Sequence, residues 1–425
     1  MLRHYKGQRM SPLGKKIVLG ISLLVVAYAA TGYMLGRSPD DKAFRALTVY
    51  SEVLEHIQRD YVDDPNMHAV TNGSLHGLLD SLDPQSAYLS PLEYKDFKEK
   101  SASNPPAETG LALTRRFGYI GVIGVLPDSP GAKIGLRIGD ILEKIAGFTT
   151  GQMAIDQAQL LLKGNPGTTV QLSVIRRGKP EPQEMNITLA KLAVPKLVED
   201  RLNGDVAYLR VSEFTPGVSK QIHEKLVQFQ KSGAKKLLLD LRDCTLGDDQ
   251  EGIQTAQLFL SSGTVATLKG QTVTAVISSA DATKVVWTEP VAVLIGNGTA
   301  GPAEILAAAI ADNKRGSTVG ERTYGTASQQ KLIEMEDGSA LILTVATYFT
   351  PGNKDIPAEG VPPTAEVHPS IDDLLAQADL TQPAAAPSAS PDDPVVKKAL
   401  ELLQGGAAVE KKAAKLVYAW QQLAA

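Results

Sequence analysis

Hydrolytic or acyl-transfer chemistry needs a side-chain nucleophile and a group that can take its proton. The C-terminal half holds many such groups, among them the hydroxyls of Thr299 and Ser328 and the amines of Lys314 and Lys331. Ser328 and Lys331 stand three residues apart, so they can meet only if that stretch is helical. The histidines (His4, His56, His68, His76, His223 and His368) are scattered, without the spacing of metal ligands. No phosphate-binding glycine loop joins a strand to a helix. No metal or other cofactor is therefore expected. Cys244 is the single cysteine; it can form no internal disulfide and reads as a small buried apolar residue.

The elements that must position these groups follow from hydrophobic periodicity. Leu47, Tyr50, Leu54, Ile57 and Tyr61 recur at three- and four-residue spacing and predict a helix. A second helix near Val70–Leu82 should stop at Asp83-Pro84. Ser90-Pro91-Leu92-Glu93 reads as a capping box that opens a third. Residues 101–107 form a linker, after which short β-like runs alternate with turns. These are Ile120–Leu126, a turn at Asp128–Gly131, Ile141–Ile145, a helix over Ile155–Leu162 and a strand over Thr168–Ile175. From 206 to 370 the pattern becomes strand–helix–strand. Val206–Val211, Leu237–Leu241 and Val291–Ile295 are strands, and Val218–Phe229 and Pro302–Asn313 are helices, which implies a largely parallel sheet. Asp337-Gly338 marks a hairpin. Residues 381–394 are a Pro/Ala/Ser-rich linker, and 395–425 are expected to form one or two short helices.

Charge is unevenly placed. The first 36 residues carry Arg3, Lys6, Arg9, Lys15 and Lys16 and no acid, although the chain totals −4. The remainder is acidic, which argues against nucleic acid as a partner. The basic head leads into the uncharged run Ile17–Leu35, whose helical length of about 28 Å approaches the ~30 Å hydrocarbon core. Residues 17–35 are thus expected to contact the membrane and hold the body outside the cytoplasm. A cleaved signal peptide is the other reading, because Ala27-Tyr28-Ala29 resembles a small-x-small cleavage site.

Three blocks resemble the carboxyl-terminal processing, or tail-specific, peptidase family. Ser81-Leu82-Asp83-Pro84-Gln85-Ser86-Ala87-Tyr88-Leu89 is similar to the family segment S-L-D-P-H-S-x-Y-L. Asp128-Ser129-Pro130-Gly131-Ala132 through Gly135-Leu136-Arg137-Ile138-Gly139-Asp140 resembles the signature of bacterial PDZ domains. The third block, Gly296-Asn297-Gly298-Thr299-Ala300-Gly301-Pro302-Ala303-Glu304-Ile305, is similar to the family's nucleophile segment V-N-x-G-[ST]-A-S-A-S-E-I. The resemblance implies an α+β multidomain fold. Residues 1–36 would be tail and anchor or signal, 40–100 an N-terminal helical region, and 108–192 a PDZ domain. Residues 193–370, with 40–100, would form an α/β peptidase-like core.

The resemblance also implies what is missing. The family nucleophile position is Gly301, and the general-base lysine of G-x-x-[TY]-[FY]-G-K-G-x-x-Q falls on Thr326, while the supporting glutamine is kept as Gln330. The oxyanion segment L-D-L-R-x-N-P-G-G reads Leu239-Asp240-Leu241-Arg242-Asp243-Cys244-Thr245-Leu246-Gly247. Leu246, Gly247 and Pro302 therefore mark an altered oxyanion region. Glycine offers no nucleophile and threonine is too weak a base, so a non-proteolytic relative is expected. Its alternative is an active serine-type endopeptidase with rearranged catalytic residues. A PDZ domain binds an extended C-terminal peptide as an added strand, and the corresponding loop here is Gly110-Leu111-Ala112-Leu113. Expected partners are thus protein C-terminal peptides, together with an active relative or a second copy of this chain.

Overall fold

The computed structural model describes residues 41–368, apart from 104, 117, 177, 194–195 and 203, together with residues 390 and 392–404. The apolar run 17–35, the 381–389 linker and residues 405–425 lie outside the described residues. No helix among the described residues is long and apolar enough to cross a membrane. The chain divides into two units, Met1–Gly73 and Ser74–Ala425. In the first, the helix Asp41–Asp60 carries the expected apolar spacing and leaves Phe44, Leu47 and Val53 exposed.

The centre of the second unit is a six-stranded sheet in the order Val198–Leu202, Val206–Arg210, Lys236–Asp240, Val291–Ile295, Ser317–Gly320 and Ala365–Glu366. All neighbours run parallel except the first pair. Val206–Arg210 and Val291–Ile295 are buried at every position, because parallel strands are covered on both faces and so read as continuous apolar runs. One face is covered by the helices Val218–Lys231, Asp249–Gln257 and Pro302–Asp312, through Ile222, Leu226, Ile253, Ile305 and Leu306. The other is covered by the helix of residues 394–404, whose Val396, Ala399, Leu400 and Leu403 pack on Tyr208, Leu238 and Leu294. A charged clasp joins that helix to the sheet. Arg242 reaches the buried Asp240 at 2.7 Å and Asp393 at 2.5 Å, and the Tyr208 hydroxyl donates to Asp240 at 2.8 Å.

A second, antiparallel sheet runs Ala87–Leu89, Ala340–Phe349, Thr264–Lys269 and Val276–Ser279, with Ser328–Glu334 also paired to Ala340–Phe349. The Asp337-Gly338 turn closes this last hairpin as expected, with Gly338 at φ +84°. Ser90 and Glu93 form the expected reciprocal cap, with bonds of 2.8 and 3.4 Å, at the start of the helix Pro91–Ser103.

Between these parts the chain forms an antiparallel sheet ordered Leu111–Arg116, Tyr119–Val125, Ile141–Ile145, Thr169–Arg176 and Lys179–Thr188. It packs around Ile120, Val122, Leu136, Leu142, Ile145 and Leu172, with the helix Ile155–Leu161 alongside. Two motif residues have structural reasons. Asp140, 2% exposed, accepts from the Arg137 amide at 2.9 Å and pairs with Arg176 at 2.6 Å. Ser129 does more than make a turn: it caps the short helix Pro130–Lys133 by accepting from the Ala132 amide.

Candidate functional site

The strand Val291–Ile295 ends in a tight turn that feeds the helix Pro302–Asp312, and Gly301 is the last residue before that helix. Its φ of +56° and ψ of −120° are a conformation that L side chains rarely adopt. A Cβ placed there would meet only Thr326 Oγ1, at 4.0 Å. The two positions singled out in sequence, 301 and 326, are therefore neighbours across 25 residues of chain. Their actual contact is structural: the Gly301 amide donates to Thr326 Oγ1 at 3.1 Å.

Glu304 holds this pair together. It is fully buried and accepts four hydrogen bonds. The Gly301 and Thr326 amides donate to Oε2 at 2.9 and 2.8 Å, and the Gly325 amide and the Thr323 hydroxyl donate to Oε1 at 2.6 and 2.5 Å. Thr323 in turn accepts from the Val361 amide at 2.8 Å, so its proton points to Glu304. Burial pushes the Glu304 pKa up, and the four donors pull against it by favouring the carboxylate. Sequence reasoning missed this role. The available signal was a glutamate three residues after the turn, in the position where a capping box reaches back to the N-cap amide.

The third segment is the loop after Lys236–Asp240. Phe214 donates its amide to Leu246 O and accepts from the Asp248 amide, both at 2.9 Å. Gly247 sits at φ +133°, and a Cβ there would come within 2.4 Å of Phe214 O, so this position takes only glycine. Leu246 packs with Ala300, Tyr324, Ala112 and Ile123. Pro302 occupies the first turn of its helix and has no N–H. In strand–turn–helix nucleophile sites, the amide of the residue after the nucleophile serves the oxyanion hole; here that donor is absent. Cys244 is buried, and burial pushes its thiol well above the ordinary value.

The other candidates do not assemble. Thr299 is fully buried; its hydroxyl donates to Leu241 O at 2.9 Å and accepts from the Gly296 amide at 3.0 Å. Ser328 and Lys331 lie on the strand Ser328–Glu334, where residues three apart point to opposite faces. Gln330 is exposed and donates to Ser328 Oγ at 2.9 Å, which in turn donates to Thr326 O at 3.0 Å, so it reaches the Thr326 backbone and not its side chain. Lys314 is exposed beyond the end of its helix.

The antiparallel sheet of 111–188 is seated on this turn. Ala112 and Ile123 pack on Ala300, and the Tyr324 hydroxyl donates to Thr114 Oγ1 at 3.1 Å. Gly124 lies so close to Thr245 that a Cβ would stand 2.1 Å from its hydroxyl. The expected loop over Gly110–Leu113 is shorter than the sequence suggested. Only Gly110 turns, at φ +73°, and Leu111–Leu113 already belong to the strand Leu111–Arg116. That strand ends its sheet, so among the described residues its outer edge has no strand partner. Leu111 and Leu113 line a cavity of about 270 Å³ with Leu126, Leu162, Lys163 and Glu213, whereas Ala112 faces the neighbouring core.

A parallel α/β core with a strand–turn–helix site, bearing a sheet with an open strand edge beside a helix, defines a peptidase-like core joined to a PDZ-like unit. A model of peptidase family S41 matches residues 205–367, and a PDZ-domain model matches residues 121–176. The carboxyl-terminal-processing protease of Synechocystis sp. is 32% identical over 69% of this chain and 67% of its own length. The enzyme of the same name from Picosynechococcus sp. is 33% identical over 68% and 70%. The carboxy-terminal-processing protease of Bartonella bacilliformis is 27% identical over 86% and 84%. Among solved structures, the photosystem II D1 C-terminal processing protease superposes with a TM-score of 0.62 at 24% identity, over 80% of this chain and 98% of that one. The chain belongs to the carboxyl-terminal-processing protease family.

Proposed function

We propose that this protein is a non-proteolytic member of its family that binds protein C-termini through its PDZ unit on the outer side of the cytoplasmic membrane. The observation that carries the reading is the pair Gly301 and Thr326. They sit side by side where the family resemblance puts nucleophile and base, yet their contact is an amide-to-hydroxyl bond of 3.1 Å. Acyl transfer there would need a side-chain oxygen, a neutral base and an oxyanion donor. Gly301 has no side chain, Thr326 cannot take the proton, and Pro302 has no amide hydrogen.

Peptide binding is supported by the open edge of Leu111–Arg116 and the cavity beside it, which suit an added strand. The outward location and anchoring through residues 17–35 are supported by the basic head and the apolar run. An active relative would supply catalysis in any assembly that processes the bound peptide, whereas a second copy of this chain would add only another binding unit.

The test is incubation of the purified protein with an unfolded reporter that ends in a free apolar C-terminus, followed by intact-mass measurement and anisotropy binding. Binding that requires the free carboxylate, without new fragments, is expected. Cleavage that disappears in Ser328→Ala or Thr299→Ala would establish a relocated site instead.

A further inference from the structure

The cavity beside the open strand is not electrically neutral. Its apolar wall comes from Leu111, Leu113, Leu126 and Leu162 of the PDZ unit and from Leu246 of the core. Two carboxylates and one amine also line it. Lys163 and Glu108 pair with each other at 3.6 Å. Glu213, contributed by the core, is half-buried and has no hydrogen bond or ion pair among the described residues. Its pKa is raised by burial and then by the nearby Glu108. A partly desolvated carboxylate near a second one, with the only lysine of the lining already engaged, is incomplete without a further cation.

We propose that the groove takes a peptide carrying a lysine or arginine among its last few residues, and that Glu213 reads that cation. The inference rests on the reading of the groove as a C-terminal peptide site. A lysine or arginine suits both parts of the cavity, because its aliphatic stem lies along apolar wall while the charged end reaches a polar rim. An all-apolar tail would fill the wall and leave Glu213 uncompensated, and an acidic tail would add a third carboxylate. Because Glu213 belongs to the core and not to the PDZ sheet, the preference requires both parts in their present arrangement.

The experiment uses the full-length protein and fluorescein-labelled hexapeptides with a common apolar last residue. Lysine, glutamine or glutamate is placed in turn at each of the three preceding positions, as free acid and as amide, and affinity is read by anisotropy. At one position the lysine peptide should bind at least about fivefold more tightly than its glutamine counterpart. The glutamate peptide should be weakest, and the lysine advantage should shrink as salt rises. Glu213→Gln should remove the lysine advantage and leave the glutamine peptide bound as before. Equal affinity for lysine and glutamine peptides at every position would overturn the role of Glu213 while leaving the groove in place, provided free acids still outbind amides. Loss of the free-acid preference would overturn the groove itself. The charge series and its salt dependence need no variant, so they decide the question even if Glu213→Gln misfolds.

Discussion

Rebuilding the missing chemistry tests the reading of the site most directly. Gly301→Ser introduces a side chain at φ +56° into open space, since the nearest atom to its Cβ would be Thr326 Oγ1 at 4.0 Å. The cost is therefore backbone strain and not collision, about 1–3 kcal/mol. Thr326→Lys adds the base and removes the acceptor of the Gly301 amide, a loss of about 0.5–1.5 kcal/mol. Glu304 still accepts from both amides, so the turn should remain in place. The double variant should fold with a lowered melting temperature and cleave at best at trace level, because Pro302 supplies no oxyanion amide. One such donor is worth about 10²–10³ in turnover. The triple variant Gly301→Ser/Pro302→Ala/Thr326→Lys should exceed the double by about that factor in cleavage of an unfolded reporter with a free apolar C-terminus. Single-turnover fragment formation by mass spectrometry is the assay. Activity from Gly301→Ser alone, or a triple variant no better than the double when both are folded, would refute the reasoning.

Glu304→Gln keeps the shape but sets an NH2 donor against two donors that meet a carboxylate oxygen in the wild type; it should destabilise the protein by about 2–4 kcal/mol in urea unfolding. Gly247→Ala forces a Cβ to within 2.4 Å of Phe214 O; a loss above about 2 kcal/mol is expected, and an unchanged melting temperature would show that the loop is looser than its bonds imply. Leu246→Ala removes a half-buried contact at the seam with Ala112 and Ile123; it should cost about 1–2 kcal/mol and speed amide exchange in Tyr119–Val125. Burial alone would raise the Glu93 pKa, but bonds to His76 and Ser90 outweigh it and hold the carboxyl down at about 2, against an ordinary 4.5. That stabilisation is present above pH 4.5 and lost as pH falls toward 2. Glu93→Gln should thus cost about 1–2 kcal/mol at neutral pH, discounted for partial exposure, with the gap from wild type closing in acid.

Much of the core was legible because its strands are buried on both faces and carry uninterrupted apolar runs, as in Val206–Arg210 and Val291–Ile295. The Asp337-Gly338 hairpin and the Ser90 cap were legible because turn and cap chemistry is local. The strands Thr264–Lys269 and Val276–Ser279 were not read: Val276–Ser279 is mostly exposed and neither has strict alternation. Ala87–Leu89 was hidden inside a motif, being only 3 residues long and held by pairing to Ala340–Phe349. Gly110 suggested a loop over four residues, but its left-handed φ is confined to one. The adjacency of Gly301 and Thr326 came only through family resemblance, and Glu304 became visible only once residues 323–326 were folded onto it.

On the proposed non-proteolytic reading, the structure that would hold the catalytic groups is in place without them. A fully buried carboxylate is costly unless every lone pair is met, yet Glu304 keeps four donors drawn from two separate segments. Gly247 and Gly252 still accept close backbone approach, Gly252 lying where a Cβ would stand 2.4 Å from Pro302 O. Within the motif blocks read from the sequence, Gly301, Thr326 and Leu246 depart where chemistry would occur and at the seam facing the PDZ unit. Leu246 stands there as packing against Ala112, Ile123 and Ala300. This is the pattern expected when the arrangement of groove and core is what is retained, with Glu213 of the core completing a cavity otherwise lined by the PDZ unit.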